Sequence, residues 1–198
     1  TTSTKSGIVI SVTALGYVGE GQMITRAGAV PGDRVYVTGS LGRAALGLRC
    51  LQGLAAHDEV LVNSYLRPVP HHDFGQGLVG LATASADISD GFIADMGHIC
   101  VASAVGATIQ QDRLPLCSAA TNATLANPAL MPLIWSGGDD YEIIFTVSTA
   151  KQGQLEALAA KTGTCFTDVG VINAEIGVEL IDSLGELVHP GKAGYQHF

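Results

Sequence analysis

Tyr141-Glu142-Ile143-Ile144-Phe145-Thr146-Val147 is the clearest strand in the sequence, a β-branched and aromatic run that enters directly from Ser136-Gly137-Gly138-Asp139-Asp140. A strand cannot stand alone, because its backbone groups need partners on neighbouring strands. The chain offers several. Ile8, Ile10 and Val12 alternate with Val9, Ser11 and Thr13 in the period-two pattern of a half-buried strand, broken by Gly16, Gly19 and Gly21. Residues 33–38 read as a strand opened by the turn Val30-Pro31-Gly32-Asp33, and further strands are expected at 84–88, 107–111, 166–172 and 178–181.

Between them lie segments of helical period. After Gly39-Ser40-Leu41-Gly42, the side chains of Ala45, Leu48 and Leu51 share one face. Residues 58–66 read as a helix that stops at Arg67-Pro68-Val69-Pro70, and another is expected over 74–81. A helix carrying Ile93, Met96, Gly97 and Cys100 follows the tight turn Ser89-Asp90-Gly91, a weaker one spans 118–126, and 151–161 is amphipathic through Leu155 and Leu158. Pro128 and Pro132 mark a loop, and 182–185 is a polar turn. No fixed-period repeat and no composition break divides the chain. The expected fold is α/β (α+β), a mixed β-sheet with helices packed mainly on one face. The order is not a strict βαβ alternation, which argues against a purely parallel sheet.

Composition narrows the function classes. Ten Lys+Arg against 18 Asp+Glu leave a net charge of −8, the wrong sign for neutralising nucleic-acid phosphates. Glycine, serine and charged residues interrupt every apolar run, so no membrane span is expected, and residues 1–7 lack the pattern of a signal peptide. Cys50, Cys100, Cys117 and Cys165 have no zinc-binding or redox spacing and read as reduced thiols of a cytoplasmic protein. Only 14% of residues are charged, against roughly 25% in an average soluble domain. Such a chain either drifts toward Ala and Gly or hides part of its surface against something else.

Two motifs could carry chemistry. In Asp87-Ile88-Ser89-Asp90-Gly91, two carboxylates three residues apart across a strand-to-helix turn can converge on one hard cation, and the Ser89 hydroxyl can donate to a phosphate oxygen. Magnesium suits a site of one or two carboxylates completed by water and phosphate. Ordinary helix capping by Ser89 or Asp90 accounts for the same residues. In the second motif, residues 136–142, paired glycines let the backbone approach a ligand and three acidic residues crowd together. That charge calls for a metal or a cationic substrate ring, or else it is a solvated acidic turn. Gly39-Ser40-Leu41-Gly42 lacks the Gly-Lys-Ser/Thr ending of a phosphate loop, Gly16-x-x-Gly19-x-Gly21 runs the wrong way for a dinucleotide fingerprint, and both read as turns. His71-His72 reads as surface or helix-cap histidine, and no serine or cysteine sits in a nucleophile context.

In order, residues 24–33 and 37–42, Arg67-Pro68, Asp87-Ile88-Ser89-Asp90-Gly91, Gly137-Gly138-Asp139-Asp140-Tyr141-Glu142 and Gly194-Tyr195-Gln196-His197-Phe198 make a set that resembles the C-terminal part of bacterial thiamine-monophosphate kinase. The resemblance runs essentially from Thr1 to Phe198. The first pieces are shared with the wider aminoimidazole-ribonucleotide synthetase-like superfamily, which includes selenophosphate synthetase and a hydrogenase maturation protein. The acidic Gly-Gly motif and the aromatic tail are more particular to the thiamine kinase.

The resemblance implies transfer of the γ-phosphoryl group of ATP to thiamine monophosphate, giving thiamine diphosphate and ADP with several Mg2+ ions. It implies Asp87 and Asp90 as metal ligands, Arg26 and Ser89 as ATP contacts, Asp139 as a substrate contact and Tyr195 as an aromatic beside the thiamine. No residue is implied as nucleophile or base, which suits phosphoryl transfer, where positioning and cations do most of the work. The thiazolium is a cation, so an acidic group and an aromatic face suit it.

Two residues depart from the family pattern: Asp139 stands where many members have Glu, and His71 where many have Arg. The resemblance further implies a preceding half that carries more metal-binding aspartates and the dimer-forming barrel, and ends in Gly-Gly-Asp before a Thr-Thr like Thr1-Thr2. On that basis residues 1–20 are a linking strand and 21–198 the C-terminal α/β domain, inactive alone and dimeric within a complete cytoplasmic enzyme. Two alternatives stand beside this: another ATP-using superfamily member making aminoimidazole ribonucleotide or selenophosphate, or a non-catalytic binding or assembly module.

Overall fold

The computed structural model describes residues 7–8 and 10–189. The elements in chain order are β1 (Arg34–Thr38), α1 (Arg43–Leu51), α2 (Glu59–Leu66), α3 (His72–Gly77), β2 (Ala82–Asp87), α4 (Phe92–Ser103), β3 (Gly106–Gln110), α5 (Ser118–Ala126), α6 (Leu133–Ser136), β4 (Ile143–Val147), α7 (Gln152–Thr162), β5 (Phe166–Asn173) and β6 (Gly177–Ile181). The strands form one six-stranded sheet in the order β2-β4-β1-β5-β3-β6. Every neighbouring pair is antiparallel except β3 and β6, which run parallel. The sheet is therefore mixed, as the irregular order of strands and helices implies.

Side-chain alternation along the strands sorts the core into two layers. Val35 and Val37 of β1 and Ile144 of β4 join Leu46, Leu61, Met96, Ile99, Ala120 and Ile134, contributed by α1, α2, α4, α5 and α6. Tyr36, Phe145 and Val147 point the other way and meet Phe74 and Leu78 at α3 and Leu155 of α7. On this second face Tyr36 stacks on Phe145 with centroids 5.5 Å apart, and Phe166 meets Tyr36 edge-on at 5.4 Å. The helices thus lie mainly on one face, with α3 and α7 closing the aromatic layer on the other.

Local chemistry explains the boundaries. The turn before β1 is tied by buried Asp33, whose Oδ2 accepts from the Val30 amide at 3.1 Å and the Thr83 hydroxyl at 2.7 Å. Asp58 caps α2 by accepting from the amides of Val60 and Leu61. The helix expected over 74–81 instead occupies 72–77, because Gly80 turns the chain at φ +76° ahead of β2. The proline loop contains α6, with Pro132 at its N-cap, where the missing N–H costs nothing.

The strand expected over 8–13 does not form among the described residues. Ile8, Ile10 and Val12 are 92%, 81% and 86% exposed: no neighbouring strand takes their hydrogen bonds and no apolar layer covers them, so alternation alone does not make a strand. The four cysteines are free. No helix of the described residues is long and apolar enough to cross a membrane.

Candidate functional site

The chain leaves β2 at Asp87, plants the fully buried Ile88 in the core and turns through Ser89, Asp90 and Gly91 into α4. One carboxylate holds this turn. Asp95, one turn into α4 and 1% exposed, accepts through Oδ2 from the backbone amides of Ser89, Asp90 and Gly91 at 3.0, 3.0 and 3.2 Å. Gly91 adopts φ 122° and ψ 150° without a side-chain cap, and a Cβ there would lie 2.8 Å from the Ser136 carbonyl oxygen. Helix capping by Ser89 or Asp90 is therefore not realised. Among the described residues the side chains of Asp87, Ser89 and Asp90 make no hydrogen bond, and Asp87 is exposed while Ser89 and Asp90 are half-buried.

The second motif interlocks with the first. The amide of Asp139 donates to the Ser89 carbonyl at 3.0 Å, that of Tyr141 to the Ile88 carbonyl at 2.9 Å, and that of Ile88 to the Glu142 carbonyl at 2.9 Å. A Cβ on Gly138 would stand 2.2 Å from the Ser89 carbonyl oxygen, so glycine is needed for the approach. Asp139 and Tyr141 both sit at positive φ, 67° and 51°, a strained backbone that the surrounding bonds over-determine. The Tyr141 hydroxyl donates to Asp139 Oδ1 at 3.2 Å. Its pKa is raised, first by burial, then by Asp139, with a further contribution from the charge of Asp87.

The acidic run then divides. Asp139 faces solvent, but Asp140 and Glu142 turn inward. Asp140 accepts from the amides of Gly42 and Ala44 at 2.5 and 3.0 Å, capping α1 from a distant part of the chain. Burial lifts its pKa to about 7, against the lowering effect of those amides. Glu142 is 1% exposed and accepts from the Thr38 hydroxyl at 2.6 Å and the Arg43 guanidinium at 2.6 Å. Its Oε2 also pairs with His71 Nε2 at 2.6 Å. These two carboxylates belong to the scaffold, which corrects the expectation that the whole run gathers a cation or lies solvated.

Arg26 is exposed on a segment running along β2, where the Ser85 amide donates to the Thr25 carbonyl at 2.9 Å. Its own carbonyl is held by Ser103 at 3.1 Å. Tyr195 and the rest of 194–198 lie outside the described residues. Asp95 and Arg43 carry no expectation from the sequence, and His71, expected at the surface or as a helix cap, stands at the N-cap of α3 with its side chain on buried Glu142 rather than capping the helix. Asp95 had a signal, being a carboxylate among Ile93, Met96 and Ile99, where a charge must find partners.

The donor set suits a hard divalent cation. Asp87 and Asp90 offer carboxylates free of hydrogen bonds, and Asp90, Asp95 and His98 each offer a ligand atom within 4.8 Å of the others. Asp95 Oδ1 is buried without a hydrogen-bond partner, an orphan that asks for an ion, a water or a proton.

No protein-family model matches the chain. The mixed sheet and its helices constitute the aminoimidazole-ribonucleotide synthetase-like fold. Escherichia coli HypE shares that fold at TM-score 0.71 and 19% identity, over 86% of this chain and 53% of its own. Within the fold, the chain is a homologue of thiamine-monophosphate kinases and corresponds to their C-terminal part. It is 37% identical to the Escherichia coli O157:H7 thiamine-monophosphate kinase over 201 residues, 99% of this chain but 62% of that protein. The crystal structure of the Stenotrophomonas maltophilia K279a enzyme superposes at TM-score 0.77 with 36% identity, over 86% of this chain and 56% of that one. The structure described as AaThiL complexed with AMPPCP and TMP matches at TM-score 0.74 and 29% identity, over 88% and 54%.

Proposed function

We propose that the chain is the C-terminal half of an ATP-dependent thiamine-monophosphate kinase, which transfers the γ-phosphoryl group of ATP to thiamine monophosphate and releases thiamine diphosphate and ADP. The observation that carries this is the pair of interlocked loops, which present Asp87, Asp90 and Asp139 with no ion pair among the described residues while a buried frame holds the backbone. Homology to named kinases and likeness to a complex holding a nucleotide analogue and TMP support the choice of substrates.

Asp87 and Asp90 would hold Mg2+, which when bound offsets phosphate charge. Ser89 would donate to a phosphate oxygen, and Arg26 would contact the nucleotide. Asp139 would face the thiazolium, its reach one methylene shorter than Glu, and Tyr195 would stack beside it. No residue is assigned as nucleophile or general base, in keeping with a reaction that runs on positioning and charge.

The relatives' remaining length would supply the further metal ligands and the dimer contacts, so residues 1–20 would link the halves, and 21–198 would be inactive alone. The complete enzyme would work as a cytoplasmic dimer. Thermal-shift titration of that enzyme with thiamine monophosphate, aminoimidazole precursors and Mg-ATP tests the substrate. Stabilisation by thiamine monophosphate together with Mg-ATP is expected, and stabilisation by an aminoimidazole precursor instead would move the chain elsewhere in the superfamily.

A further inference from the structure

We infer that Asp95 is a positioning residue for the metal-binding turn, holding Asp87, Ser89 and Asp90 in the geometry that receives the cation. This rests on the phosphoryl-transfer reading above.

Asp95 Oδ2 gathers three consecutive amides, those of Ser89, Asp90 and Gly91, within 3.0–3.2 Å. Those amides point inward, so the side chains of the turn are left facing out. Gly91 lies at φ 122°, outside the range that L side chains favour. A turn of this shape, with no capping side chain of its own, depends on an acceptor supplied from within the helix. Asp95 stands on the apolar face of α4 between Ile93 and Met96, where an ionised carboxylate is tolerated only with strong donors. Its second oxygen has no partner, and a carboxylate oxygen of Asp95 lies within 4.8 Å of one of Asp90, so when ionised it both shapes the turn and deepens the field at the ligand.

The test is Asp95→Asn in the complete enzyme. An amide in this place can still accept through one oxygen, but it brings a buried N–H group with no acceptor and removes the charge. Half-saturating Mg2+ for transfer should rise about tenfold to a hundredfold, the range usual when a partner supporting a metal ligand is lost, while KM for thiamine monophosphate stays put. Ile99→Ala, a cavity on the same helix, should lower stability without moving the Mg2+ dependence. Amide hydrogen exchange gives a readout free of activity: the Ser89, Asp90 and Gly91 amides should be protected in the wild type and lose protection in Asp95→Ser, whose hydroxyl does not reach them, while the amides inside α4 keep theirs.

Unchanged Mg2+ dependence in a folded Asp95→Asn, or protection of the three amides retained in a folded Asp95→Ser, overturns the inference. If Asp95→Asn does not fold, Asp95→Ser takes its place. If neither folds, wild-type exchange decides, and open-chain rates at the three amides count against the role. A wild-type enzyme with no transfer activity would remove the proposed function and leave the exchange result standing.

Discussion

His71 Nε2 lies 2.6 Å from Oε2 of Glu142, and Arg43 Nη2 lies 2.6 Å from the other oxygen of the same carboxylate. The imidazole nitrogen that faces this buried carboxylate therefore serves it as a donor. With the Thr38 hydroxyl, these groups join the end of β1, the start of α1 and the entry to α3 to the strand that follows the acidic loop.

Glu142→Gln leaves Arg43 and His71 facing a neutral amide. Arg43 is partly exposed and can find water, so the expected loss is about 2 kcal/mol of unfolding free energy rather than the full cost of breaking a sealed ion pair. Urea denaturation at neutral pH measures it; a loss near zero would show that the cluster contributes no stability.

Gly91→Ala and Gly138→Ala test the interlocking of the loops. In each case the added methyl meets backbone, at 2.8 and 2.2 Å, which cannot swing aside as a side chain does. Each substitution should cost about 2 kcal/mol or more and weaken Mg-ATP binding by calorimetry. Gly153→Ala, inside α7 with nothing within 4 Å of the new carbon, should be neutral or stabilising.

Asp140 gives stability a defined pH dependence. Its pKa rises from an ordinary 3.8 to about 7 on folding, so between those values the folded chain holds the proton that the unfolded chain has released. Its contribution to stability is then greatest at the acid end of this window and declines as pH rises toward 7. Between pH 4.5 and 7.5 the wild type should lose stability relative to Asp140→Asn, as read by urea denaturation at each pH. A gap that does not change with pH would contradict the assignment.

Much of this was legible in the chain. Strands such as β4 and β5 announce themselves through β-branched runs, and helix α2 through its proline stop at Pro68. The Asp87 and Gly137 motifs were visible as candidates, yet their local spacing could not say which acids face outward. Asp140 and Glu142 turn inward because α1 and Arg43, some hundred residues earlier, offer them donors, a long-range fact that no window of sequence contains. The alternation at residues 8–13 misled for the opposite reason: the pattern is local, but a strand exists only beside another.

The most direct measurement is the formation of thiamine diphosphate from thiamine monophosphate and Mg-ATP by the complete enzyme, compared with Asp87→Asn and Asp90→Asn. Neither side chain makes a hydrogen bond among the described residues, so both variants should fold like the wild type by circular dichroism. Turnover at fixed Mg2+ should fall about a hundredfold or more in each, as when a group that stabilises transferring charge is lost. Full turnover in both folded variants, or a wild-type enzyme that makes no thiamine diphosphate, would contradict the account.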